Sequence, residues 1–252
     1  MTGILEGRSI VITGASSGIG AEAARVFMRE GASVTLGARS EDALRSLTDE
    51  LTSAGGNAAY QVTDVSVAED VDRLVDAAVA RFGFIDGAFN NAGITQYGPL
   101  MDVDEADFDR IVAVNLKGVW LSLRAEVRAI VASGREGSIV NTSSVGGYRG
   151  SSGLGAYQAT KHGVVGLTRT AAHDCGPFGI RVNVVAPGAT ETEMIRDWRA
   201  RDPQAVDRRI GLIPLKRAAQ PAEVADAAAW LISSMSGTIN GALIPIDGGY
   251  SA

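Results

Sequence analysis

The sequence has a single cysteine, Cys175, and two histidines, His162 and His173. One thiol excludes an intrachain disulfide and a cysteine-based zinc cluster. Two imidazoles leave too few ligands for a metal centre, and none is expected. No apolar run reaches the roughly 20 residues that a membrane span needs. The opening stretch, Met1–Arg8, does not pair a basic region with an apolar core, so it does not read as a signal peptide. Acidic and basic residues are interspersed, with a net charge of −6. Nothing resembles a basic nucleic-acid patch or a polybasic membrane segment. Linkers, repeats and low-complexity blocks are also missing. These absences leave a cytoplasmic protein without nucleic-acid or membrane partners. Its 252 residues, 46% of them hydrophobic, suffice for one domain over residues 1–252 with a sizeable core.

What the chain does have is glycine, 31 residues of it, and a regular alternation of apolar runs with helical stretches. Strands are expected at Ser9–Thr13, Ser33–Ala38, Ala58–Thr63, Ile85–Phe89, Gly137–Ser143, Ile180–Ala186 and Ala242–Ile246. Helices are expected at Ile19–Arg29, Glu41–Ala54, Val67–Arg81, Asp104–Ala132, from Ala156 to about Ala172, and at Pro221–Ser233. Leu44, Leu47 and Leu51, for example, recur at helical spacing. Strand–helix alternation implies an α/β fold with a parallel sheet covered on both faces. Runs such as Val182–Val185 are almost continuously apolar, as strands buried on both sides should be. The one interruption is 189–219, charged and carrying Trp198, Pro203 and Pro214. A segment of this kind after a strand end reads as a substrate lid, the other reading being a surface insertion.

The turn Thr13–Gly20 joins the first strand to the first helix. Gly14, Gly18 and Gly20 allow a tight turn and close approach to a pyrophosphate at the helix N-terminus. Ser16, Ser17 and Ile19 belong to the same turn. Its spacing is wider than G-x-G-x-x-G. At the end of the second strand, NAD-binding proteins place an acidic residue about 20 residues on, against the ribose hydroxyls. Here Arg39 and Ser40 stand instead. A guanidinium suits a 2′-phosphate in charge and in bidentate geometry, and Ser40 offers a further contact. NADP is therefore favoured, with NAD possible if Arg39 is only a solvated loop charge.

Chemistry concentrates between Asn141 and Lys161. Tyr157 and Lys161, at i and i+4 of a helix, share one face. A free tyrosine ionises near pH ~10. A nearby ammonium favours the phenolate. Reaching a pKa of roughly 7 would take about 4 kcal/mol of differential stabilisation. Such a phenol can pass a proton to or from a carbonyl or alcohol near neutral pH. A serine hydroxyl beside it would orient and polarise the substrate.

With these residues in view, the chain resembles a single-domain short-chain dehydrogenase/reductase along almost its whole length. Thr13-Gly14-x-x-x-Gly18-x-Gly20 matches the family's cofactor turn. Asp64 and Val65 match the acidic position that meets the adenine. Asn90-Asn91-Ala92-Gly93 matches the motif after the fourth strand. Asn115, Ser144, Tyr157 and Lys161 match the catalytic tetrad. The thirteen-residue gap to Tyr157 selects Ser144 over Ser143. Pro187-Gly188-x-x-x-Thr192, with Thr190 inside it, matches the segment beside the carboxamide, and Asp247-Gly248-Gly249 the C-terminal ending. The resemblance implies a Rossmann-type doubly wound sheet of seven parallel strands in the order 3-2-1-4-5-6-7, and a homotetramer. It also implies hydride transfer at the nicotinamide, with Tyr157 moving the proton. Lys161 would hold the ribose and depress the tyrosine pKa, and Asn115 would position a water.

The substrate is expected to be a small carbonyl or alcohol. Gln96, Gly146, Leu154, Gln158, Met194 and Trp198 are candidate linings; the other reading of Trp198 and Met194 is that they only pack the lid. Other family members act on alcohols, sugars or steroids with NAD, and these remain alternatives. The pattern also resembles 3-oxoacyl-carrier-protein reductases. Arg128 matches one of the two arginines that dock the carrier in those enzymes, but His173 stands at the other. A dinucleotide-sensing protein without catalysis is the non-enzymatic alternative, against which the complete tetrad argues. His162 and Cys175 read as structural.

Overall fold

A computed structural model describes residues 3–252. Met1 and Thr2, where the expected domain and the signal-peptide reading begin, lie outside the described residues. Strands β1 (Ser9–Thr13), β2 (Ser33–Ala38), β3 (Ala58–Val62), β4 (Gly87–Asn90), β5 (Gly137–Thr142), β6 (Ile180–Pro187) and β7 (Leu243–Ile246) form one sheet. Every neighbouring pair is parallel, in the order β3-β2-β1-β4-β5-β6-β7. This is the doubly wound architecture that the alternation implies.

Helices α1 (Gly18–Arg29), α2 (Glu41–Ser53) and α9 (Pro221–Ile232) cover one face. Helices α3 (Ala68–Phe82), α5 (Gly118–Ser133) and α6 (Gly155–Cys175) cover the other. Ile10 and Ile12 point into the first layer and Val11 into the second, the period-2 consequence of a strand. Both layers are therefore dry. Pro245 falls in β7, at the sheet edge, where a missing N–H is tolerated.

Two expectations are corrected. The helix expected over Asp104–Ala132 is broken: α4 (Glu105–Val112) runs into a π-helical turn over Ala113–Lys117 before α5 begins. The Asn115 side chain is drawn to the backbone of Ile94, accepting from its N–H at 2.8 Å and donating to its carbonyl at 2.9 Å. Gly118 sits so close to Val65 that a Cβ there would come within 2.9 Å of its Cγ2. A helix pinned at both points accommodates an extra residue as a π turn, a feature frequent at functional sites. Secondly, 189–219 is helical, containing α7 (Glu193–Arg201) and α8 (Pro203–Gly211). Ile195, Val206 and Ala218 form a small core of their own, with Trp198 and Ile210 against it. Each of these two helices fully buries only one residue, so its apolar stripe is too thin to show as a period. Among the described residues, no helix is long and apolar enough to cross a membrane.

Candidate active site

Strand β1 ends at Thr13, whose Oγ1 accepts from the backbone N–H groups of Asn91 and Ala92 at 3.1 and 3.3 Å. This ties the turn after β1 to the turn after β4. Asn91 Nδ2 reaches back to the Gly14 carbonyl at 3.4 Å. Gly14 has φ +69, and a Cβ there would meet the Ala92 backbone at 2.7 Å. At Gly20 a Cβ would lie 2.1 Å from the Gly14 carbonyl oxygen. A side chain at either position would press on this backbone. Ser17 and Ser40 stand at the N-caps of α1 and α2, and neither side chain makes a capping bond. Their hydroxyls stay available beside two positive helix ends. Arg39 is exposed at the end of β2. Bare glycine backbone, free hydroxyls and an exposed guanidinium fit a phosphorylated dinucleotide.

Asp64, at the end of β3, accepts from the N–H and hydroxyl of Ser66 at 2.9 and 2.7 Å. Ser66, and then the charge of Arg39, hold its carboxyl below the ordinary range. Arg39 thus already feels an anion. Val65 packs against Gly118. After β6, Thr190 is buried, with its hydroxyl 3.3 Å from the Gly188 carbonyl. The Thr192 methyl lies over Gly18, 3.3 Å from where a Cβ would sit. The Pro187–Thr192 segment therefore reaches the glycine turn.

Tyr157 and Lys161 lie one turn apart on α6, with Lys161 Nζ 5.7 Å from the tyrosine ring centre. Ser144 Oγ accepts from Gly146 N–H at 3.1 Å and sits near enough to the Tyr157 phenol to pull its pKa down. Ser143 instead donates to the Lys161 carbonyl at 2.9 Å. It braces α6, in keeping with the choice of Ser144. Lys161 Nζ donates to the Thr142 carbonyl at 2.8 Å, and a Cβ on Gly93 would lie 3.5 Å from it. Asn115 Nδ2 also meets Thr160 Oγ1 at 3.3 Å. All four tetrad positions thus converge at the C-terminal ends of β4 and β5.

The expected electrostatics need correction. Burial raises the Tyr157 pKa; Ser144 opposes the rise and Tyr97 adds to it. Burial pushes Lys161 itself down to about 8. An ammonium taken out of water without a counter-ion is costly, which lowers its pKa, yet at about 8 Lys161 stays largely charged at neutral pH while Tyr157 keeps its proton.

A cavity of about 240 Å³ lies between the turn after β4 and α7, lined by Thr95, Gln96, Tyr97, Asp107, Met194, Asp197 and Arg201. Gln96 and Met194 were expected there. The Tyr97 ring stacks on Trp198 with centres 6.2 Å apart. Tyr97 was not foreseen, although an aromatic residue four positions after Gly93 offered a signal. Gln158 is a brace rather than a lining: it is buried, and its Oε1 accepts from Ser151 N–H at 3.0 Å. Gly146 packs against Gln158, and Leu154 is half-buried just before α6. Residues 250–251 pack against the 148–149 segment and α8. Tyr148 donates to Ser251 Oγ at 3.0 Å, and Arg149 and Arg209 of α8 both lie against the Tyr250 ring. His162 Nδ1 bonds the Gln158 carbonyl at 2.9 Å, as a structural histidine would. Among the described residues, no group of three His, Cys, Asp or Glu could hold a metal ion.

Comparison with known proteins agrees with this geometry. A family model described as "Enoyl-(Acyl carrier protein) reductase" matches residues 14–251. The A-factor type gamma-butyrolactone 1'-reductase (1S-forming) of Streptomyces virginiae is 46% identical, over 99% of this chain and 97% of its own. The 2,5-dichloro-2,5-cyclohexadiene-1,4-diol dehydrogenase of Sphingobium indicum is 39% identical over 98% of each. The crystal structure of levodione reductase superposes with a TM-score of 0.92, at 38% identity and 97% coverage of both chains.

Proposed function

Because this chain belongs to the short-chain dehydrogenase/reductase family, oxidoreductases acting on CH–OH groups with NAD(P), we propose that it interconverts a ring-bearing ketone and its secondary alcohol with NADP(H). The observation that carries the reading is the convergence of Ser144, Tyr157 and Lys161 beside a glycine turn where a side chain would press on the backbone. Residues 13–20, 91–93 and 187–192 would hold the pyrophosphate and nicotinamide halves, and Arg39 with Ser40 the 2′-phosphate. When bound there, the dinucleotide supplies or accepts the hydride.

The chain's own residues handle the proton. Ser144 orients the carbonyl oxygen by donating a hydrogen bond to it. Tyr157 gives its phenolic proton to that oxygen as the carbonyl carbon gains the hydride, and takes one back in the reverse direction. Burial keeps the phenol protonated, which suits reduction. Lys161, held between the Thr142 carbonyl and Gly93, would bind the ribose. Asn115 fixes the Ile94 turn that lines the pocket rather than facing the substrate. Residues 189–219 would act as a lid, with Met194 and Trp198 over the substrate. The Tyr97–Trp198 stack suits a flat or alicyclic ring, and the relatives named above act on lactone- or ring-based compounds.

Carrier-protein docking has weaker support. Arg128 and His173 are both exposed, but only one is an arginine. The test is Tyr157→Phe assayed on a panel of cyclic and open-chain ketones. NADPH binding should survive while turnover falls on the order of 10²–10⁴-fold. Undiminished turnover would overturn the proposal.

A further inference from the structure

One buried acid has no part in the chemistry above. Glu126, midway along α5, is 1% exposed. Its Oε2 accepts from Asn90 Nδ2 at 2.9 Å. The same amide donates to Asn141 Oδ1 at 3.1 Å, and Asn141 Nδ2 donates to Thr168 Oγ1 at 2.9 Å. One carboxyl thus begins a chain of hydrogen bonds through the ends of β4 and β5 to α6. Asn90 immediately precedes the Asn91–Gly93 turn. Asn141 immediately precedes Thr142, whose carbonyl holds Lys161. Thr168 is on the helix that carries Tyr157.

The bonding of Asn90 is incomplete. Both of its amide hydrogens are spent, yet its Oδ1 is buried without a partner. A buried acceptor left unpaired is costly, and native structures seldom keep one. Glu126 has two oxygens, and only one is used by the Asn90 amide. A neutral carboxylic acid and a carboxamide are mutually complementary. The acid carbonyl accepts from the amide N–H, and the acid hydroxyl donates to the amide oxygen.

We propose that Glu126 is a positioning residue held as the neutral carboxylic acid, whose proton bonds Asn90 Oδ1 and locks the cofactor turn after β4 onto α5. Electrostatics agree. Burial raises the Glu126 pKa to about 8, and the only opposing influence is the Asn90 amide. No cation compensates a charge there, and an unpaired buried carboxylate takes up a proton instead. Carboxylic acids kept neutral at pH 7 to serve as donors are known in other enzymes. The consequence for catalysis rests on the oxidoreductase reading; the protonation does not.

The test has two arms, both on the whole chain. The first is an infrared difference spectrum at pH 7 between wild type and Glu126→Gln, without substrate. Exposed carboxyls are ionised at that pH, so a protonated-acid carbonyl band present in wild type and lost in the variant is the expected result. Absence of that band overturns the proposal and leaves the oxidoreductase reading untouched. The second arm compares Glu126→Gln with Glu126→Leu. The glutamine amide can donate to Asn90 Oδ1 as the acid does, so its dinucleotide KM should stay within about threefold of wild type. Leucine leaves both Asn90 groups unmatched, and its KM should rise on the order of tenfold with kcat less affected. Equal behaviour of the two variants counts against the lock. If the leucine variant does not fold, the infrared band and the glutamine variant decide.

Discussion

Replacing Arg39 by alanine isolates the choice of dinucleotide. Arg39 is exposed past the end of β2, and the anion it acts on is Asp64. The 2′-phosphate of NADP would bring about −1.5 to −2 charges to this point. Hydrogen bonds to charged groups contribute about 1.5–3 kcal/mol. Solvent exposure and the competing Asp64 place the expected loss at the lower end, about 1.5–2 kcal/mol. That is an increase of about 10–30-fold in the NADPH Kd. NADH lacks the phosphate, so its Kd should change less than about twofold on the same reasoning. Fluorescence titration of both nucleotides against wild type and variant reads this directly. Salt gives a second check. Screening shortens from about 10 Å at 0.1 M to about 3 Å at 1 M, so the wild-type preference for NADPH should narrow with salt and that of the variant should not. Equal losses for both nucleotides, or an unchanged ratio, would refute the role given to the guanidinium.

Other perturbations follow from particular distances and charges. Lys161→Met should abolish turnover yet stabilise the fold at neutral pH. A buried lysine whose pKa falls from 10.5 to about 8 carries a burial cost of about 3 kcal/mol below pH 8. Loss of the Thr142 hydrogen bond should return about 1–2 of that. The advantage must fade between pH 8 and 10.5, where the unfolded lysine also loses its charge. Denaturant titrations across that range should show the difference shrinking as pH rises; a constant difference would contradict the burial account. Gly20→Ala sets a methyl 2.1 Å from the Gly14 carbonyl oxygen and should cost about 1–3 kcal/mol, with NADPH binding weakened. Gly166→Ala, inside α6 with open space around it, should instead stabilise by about 0.5–1 kcal/mol; thermal melts of the two variants should move in opposite directions. Trp198→Ala removes the partner of Tyr97 and should raise KM about threefold to tenfold for ring ketones, from a stacking contribution of about 0.5–1.5 kcal/mol. A matching rise for open-chain ketones would deny the stack any part in selectivity.

Much of the candidate site was legible because its chemistry is local. Gly14, Gly18 and Gly20 sit within one turn, and Tyr157 and Lys161 within one helical turn. Near-continuous apolar runs such as Ile10–Ile12 and Val182–Val185 read as strands buried on both faces, and alternation with helices left a parallel sheet. What was missed depends on partners distant in sequence. The π turn at Ala113–Lys117 arises where Asn115 is held by Ile94 and Gly118 by Val65. Helices α7 and α8 are short and mostly charged, and their apolar residues meet only across the 189–219 segment. Tyr97 became part of the site through Trp198, a hundred positions later.

The order of residues along the chain thus determined the fold class, the glycine turn after β1 and the helical pairing of Tyr157 with Lys161, because each is written within a few residues of itself. Folding decided the charge states. Whether Tyr157, Lys161 and Glu126 keep or lose their protons depends on how much water the surrounding helices and strands exclude, and no local spacing encodes that.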